Sequence, residues 1–177
     1  MIDCDAIIAR HQQRFADIAQ SYRLKVDNWD ESILLKEQHT YRVCHDIKQL
    51  CQLRQLDEEM TTIACLSAMY HDVGRFEQFF RHRTFIDHQS ENHALLSLVM
   101  IEKEQILTDI PKPWQSIITT AIKHHNLARL PESHADNTFC QLLRDADKLD
   151  IWHTVIRYYY RDNIEQHNRT LELGLPD

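Results

Sequence analysis

The chain has 177 residues, a formal net charge of -7 at pH 7 and 43% hydrophobic residues. This length supports a hydrophobic core without disulfide or metal staples, so any bound metal is expected to serve function rather than folding. The acidic balance and the lack of a long basic stripe disfavour binding to a nucleic-acid polymer and favour a small ligand.

Two glycines and four prolines leave few turn residues for a strand-rich fold, and the sequence therefore predicts an all-α protein. The predicted helices span 3–22, 30–54, 58–71, 90–107, 113–125 and 137–162. The mixed charges and aromatics of residues 74–89 predict an irregular covering loop. No linker, repeat or low-complexity tract interrupts the pattern, so residues 1–177 are expected to form a single domain.

Several helix ends carry recognisable signals. Asp57 precedes two acidic residues in the manner of an N-cap, and Pro111 and Pro113 open the fifth predicted helix. Asn137 or Thr138 is the expected cap of the last helix.

The cysteines and the N-terminus bear on the cellular compartment. The cysteines are odd in number and form no C-x-x-C pair, so we expect buried, reduced thiols at Cys4, Cys44, Cys51, Cys65 and Cys140. The N-terminus carries acids where a secretory signal carries bases, and no apolar stretch reaches about 18 residues. The sequence therefore predicts a cytoplasmic protein without a membrane segment.

The pair His71-Asp72 follows the apolar run 60–70, which is long enough for a buried helix of about three turns. Gly74, two residues later, suits a helix end or a close backbone approach. A buried carboxylate beside a buried imidazole is costly unless it is paired or bound to metal. The pair therefore indicates an ion-binding site.

Five further residues have the side chains for such a site: His45, His93, His124, His125 and Asp147. Adjacent histidines on a helix diverge by about 100°, so a His-His pair serves two centres more easily than it chelates one. Imidazole and carboxylate ligands suit Mn, Fe, Co, Ni or, less comfortably, Zn, and Mg is a further candidate ion. With Asp72 bridging two ions, a shared water held as hydroxide at neutral pH would attack a phosphorus atom.

The order His45, His71-Asp72 and Asp147 resembles the HD-domain superfamily of metal-dependent phosphohydrolases, as do the phrases YHDVGRFEQ and LLRDADKLD. The resemblance runs from about residue 39 to 162 and implies a helical bundle. The phrases ENHALLS and AIKHHN resemble a branch in which extra histidines complete a second metal site.

The resemblance implies two ligand sets that share Asp72. The first metal would be held by His45, His71, Asp72 and Asp147, and the second by Asp72, His93, His124 and His125. Asp147 is preferred to Asp145 because the family ligand stands in an Ala-Asp-basic-Leu context. The alternative for His93 and His125 is that they contact the substrate, or hydrogen-bond to a metal ligand, without binding a metal themselves. The other histidines are expected at the surface or as satisfied buried groups: His11, His39, His82, His88, His134, His153 and His167.

Four cations are candidates for binding substrate phosphate. Arg75 matches a position where family members with His-Asp-x-Gly-basic place a cation, and Lys148 adjoins a ligand, so both join Asp72 as predicted catalytic residues. Arg81 and Arg83 offer planar forks for phosphate. The alternatives are an ion pair of Arg75 with Glu77 or Glu91, and a solvated loop face for the other two arginines.

Two departures narrow the family branch. No Gly-Tyr-Pro motif follows His125, which argues against the cyclic-di-GMP phosphodiesterases. Arg75 replaces the Glu of the His-Asp-x-x-Glu motif found in deoxynucleotide monophosphatase-like members. The resemblance thus implies a phosphohydrolase for a small, nucleotide-like phosphoester or phosphoanhydride, using a metal-bound hydroxide and one or two divalent metals. A di-iron HD-fold oxygenase and a non-catalytic nucleotide sensor are the alternatives, and a homodimer is possible.

Overall fold

The computed structural model of the protein describes residues 2–25 and 31–161, with side chains described as far as residue 156. Within these ranges the chain forms α1 (Cys4–Lys25), α2 (Glu31–Leu53), α3 (Glu58–Tyr70), α4 (Gly74–His82), α5 (His93–Lys103), α6 (Lys112–His124) and α7 (Thr138–Arg161). Two short 3-10 helices lie at Asp87–Gln89 and Glu132–His134. The described ranges contain no strand, which confirms the all-α prediction.

The six predicted helices correspond to α1, α2, α3, α5, α6 and α7, although α5 is shorter than predicted. The predicted boundaries at residues 30 and 162 lie outside the described residues. Two predicted caps are confirmed. The Asp57 side chain accepts a hydrogen bond from the backbone N–H of Met60 at 2.7 Å, and Asn137 accepts one from the N–H of Cys140 at 3.0 Å.

The prediction of an irregular loop over residues 74–89 is wrong in its first half, where α4 forms. Phe76 and Phe79 lie one turn apart on this helix, and both are buried in the core. Arg83 ends the helix in the left-handed conformation, with φ at 55°, and its N–H donates to the carbonyl of Phe79 at 2.9 Å. The burial of these two aromatic rings stabilises α4, although the charged residues around them obscure the helical spacing of apolar residues in the sequence.

Helix α3 occupies the centre of the bundle and packs against α1, α2, α6 and α7. Every residue from 62 to 70 is buried, so beyond its first turn this helix has no solvent-facing side. His71 is the C-cap of α3, and Asp72 follows it. The chain therefore delivers an imidazole and a carboxylate into the interior of the protein.

The cysteines and the helix lengths accord with the sequence predictions. Cys44 is half-buried, the other four cysteines are buried, and no cysteine is disulfide-bonded. Among the described helices, none has the length and apolar character needed to cross a membrane.

Gly74 lies where α4 and α5 approach each other closely. A Cβ atom at this position would lie 2.4 Å from the backbone nitrogen of Ser97 and 2.7 Å from the carbonyl oxygen of His93. The Gly74 N–H donates to the Ser97 hydroxyl at 2.9 Å, and that hydroxyl donates to the His71 carbonyl at 2.7 Å. Because Gly74 has no side chain, the first turn of α5 can pack directly against the backbone at the end of α3.

We predict that Gly74→Ala destabilises the protein by about 2–3 kcal/mol, because the added methyl group collides with backbone atoms rather than with a movable side chain. The free energy of unfolding, measured by urea titration, checks this. Glu102→Ala, an exposed change on α5, is the control and should stay within about 0.5 kcal/mol of the parent. Equal stability of the two variants would contradict the close approach at Gly74.

Candidate metal centre

Two groups of potential metal ligands lie side by side and share one carboxylate. The first contains His39, His71 and Asp72, and the second contains Asp72, His93 and His125. All five residues are buried, and within each group the ligand atoms lie within 4.8 Å of one another. Asp72 is only 4% exposed, so its carboxylate sits between two pairs of imidazoles away from bulk water.

The first group is assembled by α2, the end of α3 and α7. The Nε2 atom of His39 lies 3.3 Å from Nε2 of His71 and 3.6 Å from Oδ2 of Asp72. The Oδ1 atom of Asp147 lies 3.2 Å from Nε2 of His39 and 3.6 Å from Nε2 of His71. Asp147 therefore lies beside both imidazoles of this group, and it is the most exposed of the four side chains at 15%.

The second group is assembled by the start of α5 and the end of α6. The Nε2 atom of His93 lies 3.1 Å from Nε2 of His125 and 3.5 Å from Oδ1 of Asp72. The Nε2 atom of His125 lies 3.7 Å from the same oxygen. The two oxygens of Asp72 therefore face different histidine pairs, which is the arrangement expected of a bridging carboxylate.

Each of the four histidines is held in orientation by a hydrogen bond from its Nδ1 atom, on the side of the ring opposite Nε2. His71 and His125 donate to the carbonyls of Ala68 and Ile122, each at 2.7 Å. The other two donate to carboxylates: His39 to Asp150 at 2.6 Å, and His93 to Asp87 at 2.7 Å. Such outer partners fix the tautomer that leaves Nε2 free for a metal.

Carboxylates outside the ligand groups are themselves held by cations. Asp150, which lies one turn after Asp147 on α7, accepts from Nη2 of Arg42 at 3.0 Å. Asp87 accepts from Nη1 of Arg75 at 2.9 Å. Helix α7 supplies a carboxylate to each nitrogen of the His39 ring, because Asp150 faces Nδ1 and Asp147 faces Nε2.

The contact between His93 and His125 tests whether a metal fits. Both rings carry their hydrogen on Nδ1, and burial, followed by the nearby charge of Arg75, lowers the pKa of His93 to about 4. In the neutral rings the two Nε2 lone pairs face each other at 3.1 Å, and this contact is favourable only when a proton or a metal cation lies between them. The donor set fits a divalent metal ion.

The two acidic ligands are ionised in spite of their burial. Burial alone would raise the pKa of Asp72, but the charge of Lys36, followed by the neighbouring imidazole of His71, outweighs it and holds that pKa well below its usual range. Burial acts likewise on Asp147, where the nearby imidazoles of His39 and His71 reverse it and lower the pKa. Both carboxylates are therefore available as anionic ligands at neutral pH.

His39 behaves differently from His93. Burial lowers its pKa, but hydrogen bonds to Asp147 and Asp150 outweigh that effect, and the net pKa is raised. A metal at the first group would compete for Nε2 of His39 with a proton that the two aspartates favour, so metal binding should weaken as the pH falls.

The structure does not bring His45 to the metal centre, and the assignment of His45 to the first metal is corrected to His39. His45 is exposed on α2, where its Nε2 accepts from the Gln49 side chain at 2.8 Å. It lies six residues from His39 and thus about 120° away around the helix. The sequence prediction had placed His39 among the histidines without a role.

His124 is also absent from the two ligand groups. It is half-buried, its ring stacks on that of His134 with centroids 4.7 Å apart, and its Nδ1 has no hydrogen-bond partner. The expected divergence of adjacent histidines is observed, with His125 directed to the second group. By contrast, the structure brings His71 close to Asp72 and Asp147, and His93 close to Asp72.

The predicted phosphate-binding cations have other surroundings. Arg75 is 5% exposed and donates to Gln78 and Asp87, while its Nε lies 3.7 Å from Oδ1 of Asp72. Its ion-pair partner is thus Asp87 rather than Glu77 or Glu91. Arg81, Arg83 and Lys148 are exposed, and Arg81 pairs with Glu77 and Glu91.

Lys36 is a functional candidate that the sequence analysis missed. Its Nζ lies 3.1 Å from Oδ2 of Asp72, and it stands three residues before His39 on the same helix. The sequence signal was its position, because residues 36, 39, 40 and 43 lie on the core-facing side of α2.

Comparison with known proteins identifies the family. A family model described as the HD domain matches residues 37–152, which is about two thirds of the chain. The chain belongs to the HD-domain family. This family consists generally of metal-dependent hydrolases, and the histidine and aspartate groups of this HD domain fit such a site. Neither the curated proteins nor the solved structures include a significant match to the chain.

We predict that His39→Ala lowers the metal content of the protein and that His45→Ala leaves it unchanged, because only His39 faces Asp72 and Asp147. Elemental analysis after loading with Mn and desalting checks this, with a loss of about one ion per chain expected for His39→Ala. The two changes remove the same side chain from the same helix, so each serves as the control for the other. The reverse result would restore His45 as the ligand.

Proposed function

We propose that this HD-domain protein is a metal-dependent phosphohydrolase acting on a small, nucleotide-like phosphoester or phosphoanhydride. The observation that carries the proposal is the position of Asp72 between two pairs of imidazoles. A carboxylate shared in this way suits two divalent ions held close together, which is a common arrangement in enzymes that cleave phosphate esters.

Divalent ions held there would supply Lewis acidity for a phosphoryl group and would lower the pKa of water. The other contributions come from residues of the chain. Asp72 and Asp147 contribute two negative charges to the ligand groups. The carboxylates of Asp87 and Asp150 hold the rings of His93 and His39 in a fixed orientation. The burial of these groups strengthens the electrostatic interactions among them.

Charge supports the choice of a small substrate. The net charge of -7 opposes the approach of a nucleic-acid polymer, whereas a single phosphoryl group needs only the local positive charge of the ions and nearby cations. We place the enzyme in the cytoplasm, since the five cysteines carry no disulfide and such thiols suit a reducing compartment. A homodimer is compatible with this proposal.

We predict that Asp72→Ala abolishes metal binding and phosphatase activity while the fold is retained, because the ligand groups share this carboxylate. The assay supplies Mn without oxygen to a panel of nitrophenyl phosphates and nucleoside phosphates, and it measures released phosphate or nitrophenol. The rate should fall on the order of 1000-fold or more. Circular dichroism checks that the variant is folded.

Asp145→Ala is the matched control, because Asp145 is exposed on α7 only two residues from Asp147. Turnover that persists in metal-free Asp72→Ala would refute the proposal. Iron in the purified protein with substrate-dependent oxygen consumption would instead support a di-iron oxygenase. Tight nucleotide binding without product in any metal would support a sensor.

A further inference from the structure

Lys36 occupies a position beside the shared carboxylate that the proposed function leaves unused. Its Nζ donates to Oδ2 of Asp72 at 3.1 Å and lies 5.3 Å from the centroid of the Phe85 ring. The Lys36 side chain is 15% exposed, whereas Asp72 is 4% exposed. The Lys36 side chain is therefore the more solvent-exposed member of this ion pair.

The hydrogen-bonding capacity of Lys36 is not exhausted by these contacts. An ammonium group has three N–H donors, and one of them is directed to Asp72. The Phe85 ring attracts the positive charge but accepts no conventional hydrogen bond. Donors thus remain for an anion that approaches the metal centre from the solvent side.

Metal loading would change the balance of charge around Lys36. Without metal, the ammonium group and Asp72 neutralise each other. Divalent ions on the same carboxylate would share its negative charge and repel the ammonium group. An anionic substrate would restore the lost attraction, and the flexible stem of lysine allows Nζ to follow it.

We propose that Lys36 binds a phosphoryl oxygen of the substrate beside the Asp72 carboxylate. This inference rests on the proposed function and adds a substrate-binding residue to it. Helix α2 would then present a metal ligand, His39, and a substrate ligand, Lys36, one turn apart on the same face.

The other cations near the centre are less suited to this role. Arg75 also lies near Asp72, at 3.7 Å, but its Nη1 already donates hydrogen bonds to Gln78 and Asp87. Arg42 holds Asp150, and Lys148 is exposed on α7. Among the described cations, Lys36 combines direct contact with the shared carboxylate and partial exposure.

The test measures binding of inorganic phosphate to Mn-loaded protein by titration calorimetry. We expect Lys36→Met to weaken phosphate binding at least about 10-fold, which is the scale of one charge-assisted hydrogen bond. Lys36→Arg keeps the charge and should retain most of the affinity. Lys48→Met, an exposed change on the same helix, is the matched control and should bind phosphate like the parent.

A second measurement separates loss of phosphate binding from loss of metal. Metal-free Lys36→Met is titrated with Mn, and it should bind Mn at least as tightly as the parent, because a cation beside Asp72 has been removed. Weaker Mn binding in Lys36→Met would overturn the assignment. Lys36→Gln repeats both titrations if the methionine variant does not fold.

The outcomes distinguish this inference from the proposed function. Equal phosphate affinity and equal KM in the parent and Lys36→Met, with turnover by the parent, would overturn the role of Lys36 and leave the phosphohydrolase intact. A parent protein that holds Mn but neither binds phosphate nor releases it from any substrate would overturn both.

Discussion

The buried carboxylate of Asp72 is the constraint on which the metal centre depends. Two imidazoles face each of its oxygens, and α3, the helix that leads to it, is buried on every side from residue 62 onward. A charge in such a place is tolerated only if cations or polar hydrogens surround it. Lys36 and Arg75 supply nearby positive charge in the protein itself, and metal ions would supply more. The close approach at Gly74 and the hydrogen bonds behind each histidine keep these groups in place.

Much of the fold and part of the site were predictable from local patterns. The apolar run 60–70 predicted a buried helix because it lacks a polar face, and α3 confirms it. The cap at Asp57 followed from its side-chain chemistry and the acids behind it. His71 and Asp72 were found because their position at the end of that run is costly without a partner. His125 follows the buried residues Ala121 and Ile122 at helical spacing, and the structure brings it close to Asp72 and His93.

His39 was missed as a metal ligand because His45 was chosen from the order of histidines along the chain, without regard to which face of the helix it occupies. His39 precedes the buried Val43 by four residues and thus shares its face, whereas His45 lies about 200° from Val43. Helix α4 was missed for a different reason, because its charges obscure the spacing of Phe76 and Phe79. The pairing of Arg75 with Asp87 could not be predicted, since it depends on how the chain folds back after α4. Contacts between distant segments decide such details.

Electron paramagnetic resonance of Mn-loaded protein tests most directly the proposal that two metal ions would share the Asp72 carboxylate. Protein titrated with about two equivalents of Mn should give the exchange-coupled spectrum of a carboxylate-bridged pair, since one side chain contacts both ligand groups. The hyperfine pattern of isolated Mn ions at full occupancy, or saturation at a single ion per chain, would contradict the shared site.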